Sequence, residues 1–167
     1  LGINNFTHSN NISNRKYFNS FVVLNHKLEI LSLYNKIRLV PFGEFLPFEK
    51  TLSKLGLKKI TRGYSSFSSG DSRTIINLGD KFNDKLILPL ICYEIIYPGK
   101  INIEKKKIDL IINISEDGWF GDSIGIYQHF NKAIYRAIEE GNYVARSANN
   151  GISAFINPNG KIIKNLQ

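Results

Sequence analysis

The apolar run Leu86-Ile87-Leu88-Pro89-Leu90-Ile91 stops at the only cysteine of the chain, Cys92, and polar residues follow at once. Such a run reads as a buried strand with a thiol at its carboxyl end. A second buried strand, Asp109-Leu110-Ile111-Ile112-Asn113-Ile114-Ser115, ends in the polar and aromatic cluster Glu116-Asp117-Gly118-Trp119-Phe120-Gly121-Asp122-Ser123. Residues 126–140 then have helical spacing, with Phe130, Ile134, Ala137 and Ile138 near one face and Gly141 as the C-cap. Strands that alternate with helical segments predict an α/β fold, and such folds gather their chemistry at the carboxyl ends of strands.

The rest of the chain fits around these runs. A short strand at Leu1-Gly2-Ile3 is followed by Asn4-Asn5 and Asn10-Asn11 as turn material. Residues 17–24 and 28–34 make a hairpin over a turn at 25–27. Lys36 closes the second of these strands, and Glu44 lies in a Pro-Phe-Gly-Glu turn. Residues 48–60 have the spacing of a basic amphipathic helix, suited either to core packing or to a membrane surface. A Gly- and Ser-rich loop carrying Tyr64 and Phe67 leads to strands at 74–78 and 85–92. A short helical or irregular segment spans 97–107, and further strands lie at 143–147 and 152–157, joined by the tight turn Asn149-Asn150-Gly151.

At 167 residues the chain can bury one core, so one domain over 1–167, or most of one, is expected. It opens at Leu1 without methionine and stops inside an alternating run, which reads as a piece of a longer protein. A formal charge of +8 favours anionic partners, but the lysines are scattered and no nucleic-acid motif accompanies them. A single cysteine excludes a disulfide framework and a cysteine-based zinc site. No apolar run approaches the ~18 residues of a membrane-spanning helix.

A lone cysteine is either a small buried hydrophobe or a nucleophile. At a strand end, on a sharp turn leading into a helix, the second reading gains weight. A thiolate attacking a carbonyl needs positive charge where the oxyanion develops, and a carboxylate to take and return the thiol proton. Lysine and glutamate supply both. None of His8, His26 and His129 sits in a recognisable Cys–His motif, and His8 and His26 have polar surroundings suited to the surface.

At these residues the sequence resembles a known family. Tyr-Asn-Lys-Ile-Arg-Leu-Val-Pro-Phe-Gly-Glu-Phe-Leu-Pro (34–47), Pro-Leu-Ile-Cys-Tyr-Glu (89–94) and Asp-Gly-Trp-Phe-Gly-Asp-Ser (117–123) are similar to motifs of the carbon–nitrogen hydrolase (nitrilase) superfamily. The strings Leu-Val-Pro-Phe-Gly-Glu and Trp-Phe-Gly-Asp-Ser select its membrane branch, the bacterial apolipoprotein N-acyltransferases. The resemblance runs from about Tyr17 to Lys161.

It implies a nitrilase-like αββα sandwich, here incomplete, and a Glu–Lys–Cys triad. Cys92 matches the nucleophile, Lys36 the triad lysine and Glu44 a second glutamate needed beside the triad. Tyr93 and Glu94 follow the nucleophile as in the family, and Trp119 and Phe120 match aromatic positions beside the acyl-chain pocket. The implied reaction takes an acyl chain from a phospholipid, holds it as a thioester, and passes it to the N-terminal amine of a diacylglyceryl-cysteine apolipoprotein. It uses no metal and no organic cofactor, and nucleic acid is not a partner. The implied location is the bacterial inner membrane, with the catalytic domain on its periplasmic face.

One element is unmatched. The family's general base is a glutamate upstream of the lysine strand, and Glu29, the only glutamate before Lys36, lies within the hairpin and does not fit. The expectation is that this glutamate and the family's transmembrane helices lie outside these residues, which leaves the chain inactive alone. The competing enzymatic reading is a soluble nitrilase-type amidase acting on a small amide. A basic binding module with an inert cysteine is the non-enzymatic one.

Overall fold

The computed structural model describes residues 1–7, 15–48, 51, 54, 56 and 66–166. It divides into two compact units, Gly2–Ser72 and Arg73–Gln167.

The first unit is built on a three-stranded antiparallel sheet in the order β1 (Gly2–Phe6), β2 (Tyr17–Leu24), β3 (Ile30–Asn35). The hairpin of β2 and β3 forms as the sequence predicts, in the register Ser20↔Asn35 and Phe21↔Tyr34. Side chains on β2 and β3 bury Phe21, Val22 and Tyr34. At the hairpin tip Asn25 accepts from the backbone N–H groups of Lys27 and Glu29, and its amide donates to Glu29. Strand β1 is longer than its sequence suggests. Asn4 and Asn5 pair with Asn19 and Phe18 of β2, so a continuous ladder of backbone hydrogen bonds overrides the turn preference of asparagine. Most of the expected helix at 48–60 lies outside the described residues, as do Tyr64 and His8. Phe67 is described: its N–H donates to the carbonyl of Glu44, and it bridges to Tyr17.

The second unit is a six-stranded mixed sheet in chain order: β4 (Ile76–Asn77), β5 (Leu86–Ile91), β6 (Leu110–Glu116), β7 (Tyr143–Asn149), β8 (Ser153–Ile156) and β9 (Ile162–Leu166). The central pairs β5–β6 and β6–β7 are parallel, and the outer pairs are antiparallel. A parallel pair needs a crossover, and helix α1 (Gly125–Glu140) supplies the one from β6 to β7. Proline within β5 is tolerated because β4 pairs only with Leu86 and Ile87, so Pro89 lies beyond that partner. Leu88, Leu90, Ile111 and Val144 are fully buried, which explains why the central strands read as unbroken apolar runs.

Helix α1 packs against β7 through Phe130, Ala133 and Ala137, spaced three and four residues apart. The expected C-cap holds: Gly141 has φ 61° and its N–H reaches the carbonyls of Ala137 and Ile138. Ile138 departs from the expected apolar face and is 50% exposed, lying instead over Gly160. Arg136, on another part of the helix surface, is buried and pairs with Glu139. Among the described residues no helix is long and apolar enough to cross a membrane.

Candidate active site

Lys36 follows β3 directly and is pinned at both backbone ends. Its N–H donates to Asn19 at 2.8 Å, and its carbonyl accepts from Gly70 at 2.8 Å. The side chain is 1% exposed, and Nζ lies 2.6 Å from Oε2 of Glu44. Glu44 reaches it from a tight turn in which Phe42 N–H donates to Phe45 and Glu44 N–H donates to Val40. The carboxylate also accepts from Val40 N–H at 2.8 Å and from Asn19 Nδ2 at 2.9 Å. A buried ammonium must be paired to stay charged, and this carboxylate is fixed by three donors. An ammonium has three donors, so pairing with Glu44 leaves Nζ able to donate further.

Cys92 is in the second unit, the first residue of a 3-10 turn, Cys92–Ile96, that follows β5 without a linker. Its φ is 51°, a left-handed conformation that costs a residue with a Cβ about 1–2 kcal/mol. The sharp turn expected at the strand end is therefore present, and the thiol is partly exposed. Its Sγ is 4.0 Å from the carbonyl oxygen of Glu116 at the end of β6. Glu94 is fully buried and turns back on the strand: Oε2 accepts from Ile91 N–H at 2.9 Å and pairs with Arg73 at 3.2 Å. The bond to Ile91 N–H holds the turn against the end of β5.

Trp119 and Phe120 stand on a second 3-10 turn, Asp117–Phe120, at the end of β6. Trp119 is 58% exposed. Phe120 and Tyr93 flank one imidazole, that of His129, at centroid distances of 5.4 and 5.9 Å. The structure thus joins Lys36 to Glu44 within one unit, and Tyr93 to Phe120 through His129 within the other.

That histidine belongs to a buried polar network that the motifs do not announce. Asp117 is fully buried; Oδ2 accepts from Arg146 Nη2 at 2.6 Å, and Oδ1 accepts from Ser115 at 2.7 Å and from His129 Nδ1 at 2.9 Å. A carboxylate only accepts, so the tautomer with hydrogen on Nδ1 meets Asp117; Arg146 Nη2 lies 3.2 Å from the same nitrogen. Among the described residues Nε2 of His129 is buried without a partner. Arg146 Nη1 donates to Oδ1 of Asn113, itself fully buried. His129, unlike the exposed His26, could have been suspected from its place one residue before the core residue Phe130. For Arg146 the signal is a charge directly after Val144 and Ala145 in a strand, which must find a partner if it faces inward.

Burial alone would raise the Asp117 pKa, but His129, Arg146 and Ser115 outweigh it and hold the carboxyl at about 2, below its ordinary 3.8. A depressed acid stabilises the fold above its unfolded pKa, and the contribution disappears as pH falls through the folded one. Urea unfolding at stepped pH is therefore expected to show about 2 kcal/mol lost between pH 4 and pH 2, with a smaller loss in Asp117→Asn. Gly151 completes the enclosure. A Cβ there would lie 2.4 Å from Asp117 Oδ2 and 2.7 Å from its Cβ, so Gly151→Ala is expected to cost about 1–3 kcal/mol in the same measurement.

The sequence model of the carbon-nitrogen hydrolases ("Carbon-nitrogen hydrolase") matches residues 1–167. The chain is 40% identical over 151 residues to an apolipoprotein N-acyltransferase of Rhizobium rhizogenes, covering 90% of this chain and 28% of that protein. It is 44% identical over 149 residues to the apolipoprotein N-acyltransferase of Rhodopseudomonas palustris, covering 89% and 27%. The chain thus spans a little over a quarter of the length of these curated relatives. Among solved structures, Saccharomyces cerevisiae Nit3, a member of branch 10 of the nitrilase superfamily, superposes with a TM-score of 0.67 at 17% identity, over 99% of this chain and 53% of that one. The likeness in fold confirms the expected nitrilase-like α/β class. The chain belongs to the carbon-nitrogen hydrolase family.

Proposed function

We propose that this chain is the part of an apolipoprotein N-acyltransferase that carries the nucleophile and its lysine. The observation that carries the reading is a half-buried thiol in a left-handed turn at the carboxyl end of a central strand, in a chain 40–44% identical to proteins of that name. In this reading Cys92 attacks the ester carbonyl of a phospholipid. The carbon–sulfur bond forms, the ester carbon–oxygen bond breaks, and the thiol proton leaves with the lysophospholipid oxygen. The amine of a diacylglyceryl-cysteine then attacks the thioester; the amide forms, sulfur departs and regains a proton from the amine. Lys36, paired with Glu44, stabilises the oxyanion in both steps. Tyr93, Glu94, Trp119 and Phe120 support the nucleophile turn or contact the acyl chain.

Proton transfer in both steps falls to a glutamate that Glu29 does not supply, since Glu29 is tied to Asn25 at the hairpin tip. The reaction takes place at the inner membrane, with these residues on the periplasmic face. The test is an assay of the full-length gene product with a phospholipid and a diacylglyceryl-cysteine peptide. N-acylated peptide and lysophospholipid are expected in equal amounts. Ammonia release from a small amide, with no lipid requirement, would instead establish a nitrilase-type amidase.

A further inference from the structure

The three central strands place Leu90, Asn113 and Arg146 in one row, Asn113 being registered opposite both of the others. Asn113 is the hub. Its Nδ2 donates to the carbonyl of Leu90 at 3.2 Å and to that of Cys92 at 3.4 Å, on either side of the bend into the 3-10 turn. Its Oδ1 is held by Arg146 Nη1. The other terminal nitrogen of Arg146 is held by Asp117, the first residue of the turn bearing Trp119 and Phe120. A left-handed non-glycine residue persists only where its surroundings over-determine it. Here one guanidinium grips the support of the cysteine turn with one hand and the aromatic turn with the other, and both guanidinium and amide are sealed from water.

We infer that Asn113 and Arg146 are positioning residues for Cys92: through the Leu90 and Cys92 carbonyls they hold the strained turn that aims the sulfur, and they tie that turn to the one carrying Trp119 and Phe120. The inference deepens the proposed function and rests on Cys92 being its nucleophile. Asn113→Asp keeps the oxygen that accepts from Arg146 but removes the N–H donors to the two carbonyls. Arg146→Lys keeps a cation beside Asp117 but replaces a planar fork, able to hold Asp117 and Asn113 together, with a single ammonium.

The experiment uses the full-length protein and follows iodoacetamide labelling of the Cys92 peptide by mass spectrometry across pH. The quantity compared is the high-pH plateau, where the thiol is ionised and any change in its pKa drops out. Thermal unfolding confirms that each variant is folded. Both variants are expected to lower the plateau at least five-fold and the kcat for acyl transfer at least ten-fold, with KM within two-fold. Equal plateau rates in a folded Asn113→Asp variant and the parent overturn the inference, as does a loss confined to KM. Should Arg146→Lys fail to fold, Asn113→Asp decides alone. Labelling requires no acyl substrate, so a protein that labels as expected but transfers no acyl group refutes the proposed function and leaves the positioning role standing.

Discussion

Replacing Cys92 by serine is expected to lower acyl transfer by a factor on the order of 10⁴ or more while leaving the fold intact. The side chain keeps its shape, and among the described residues the thiol's hydrogen-bond contact is a long one, 4.0 Å to the Glu116 carbonyl. What disappears is the thiolate. A free thiol ionises near pH 8.5, whereas a serine hydroxyl stays protonated and is a weak nucleophile unless a base activates it. Turnover of phospholipid, measured beside a thermal unfolding curve, separates the two effects. A variant that unfolds like the parent and transfers at the parent's rate contradicts the nucleophile assignment.

Replacing Lys36 by methionine has a double consequence. It removes the proposed oxyanion cation, worth roughly 10²–10³ in rate by analogy with single oxyanion-hole donors. It also leaves the Glu44 carboxylate, 9% exposed, without its counter-ion, which costs about 3–5 kcal/mol. Activity and stability are therefore both expected to fall in this variant. The double variant Lys36→Met, Glu44→Gln separates the two effects, because the neutral amide needs no cation. Stability is expected to return to within about 1–2 kcal/mol of the parent while transfer stays as low as in the single variant. Recovery of transfer along with stability would show that Lys36 serves the fold rather than the reaction.

Much of the second unit was legible in the chain. Apolar runs gave β5 and β6, their abrupt ends gave the turns, and 3.6-residue spacing gave α1 with its glycine cap. Local signals failed where long-range pairing decided the outcome. Asn4 and Asn5 read as turn residues, yet a strand thirteen or more positions away captured them. Ile138 fitted the apolar spacing of α1, but it covers Gly160 at the rim rather than the core. The buried network was the hardest to see. Asn113, Asp117, His129 and Arg146 are spread over 34 positions and become neighbours only once β6 and β7 are in register and α1 lies across them. Lys36 and Glu44 are closer in sequence, eight apart, but their contact depends on the geometry of the Pro41 turn.

The central claim is that acyl groups travel on one sulfur. The direct measurement incubates the full-length protein with phospholipid and no acceptor, digests it, and weighs the Cys92 peptide. The account predicts an acyl adduct on that peptide, absent in Cys92→Ser, removed by hydroxylamine at neutral pH, and discharged on adding the diacylglyceryl-cysteine peptide. An unmodified Cys92 peptide in a preparation that goes on to N-acylate the acceptor would contradict it.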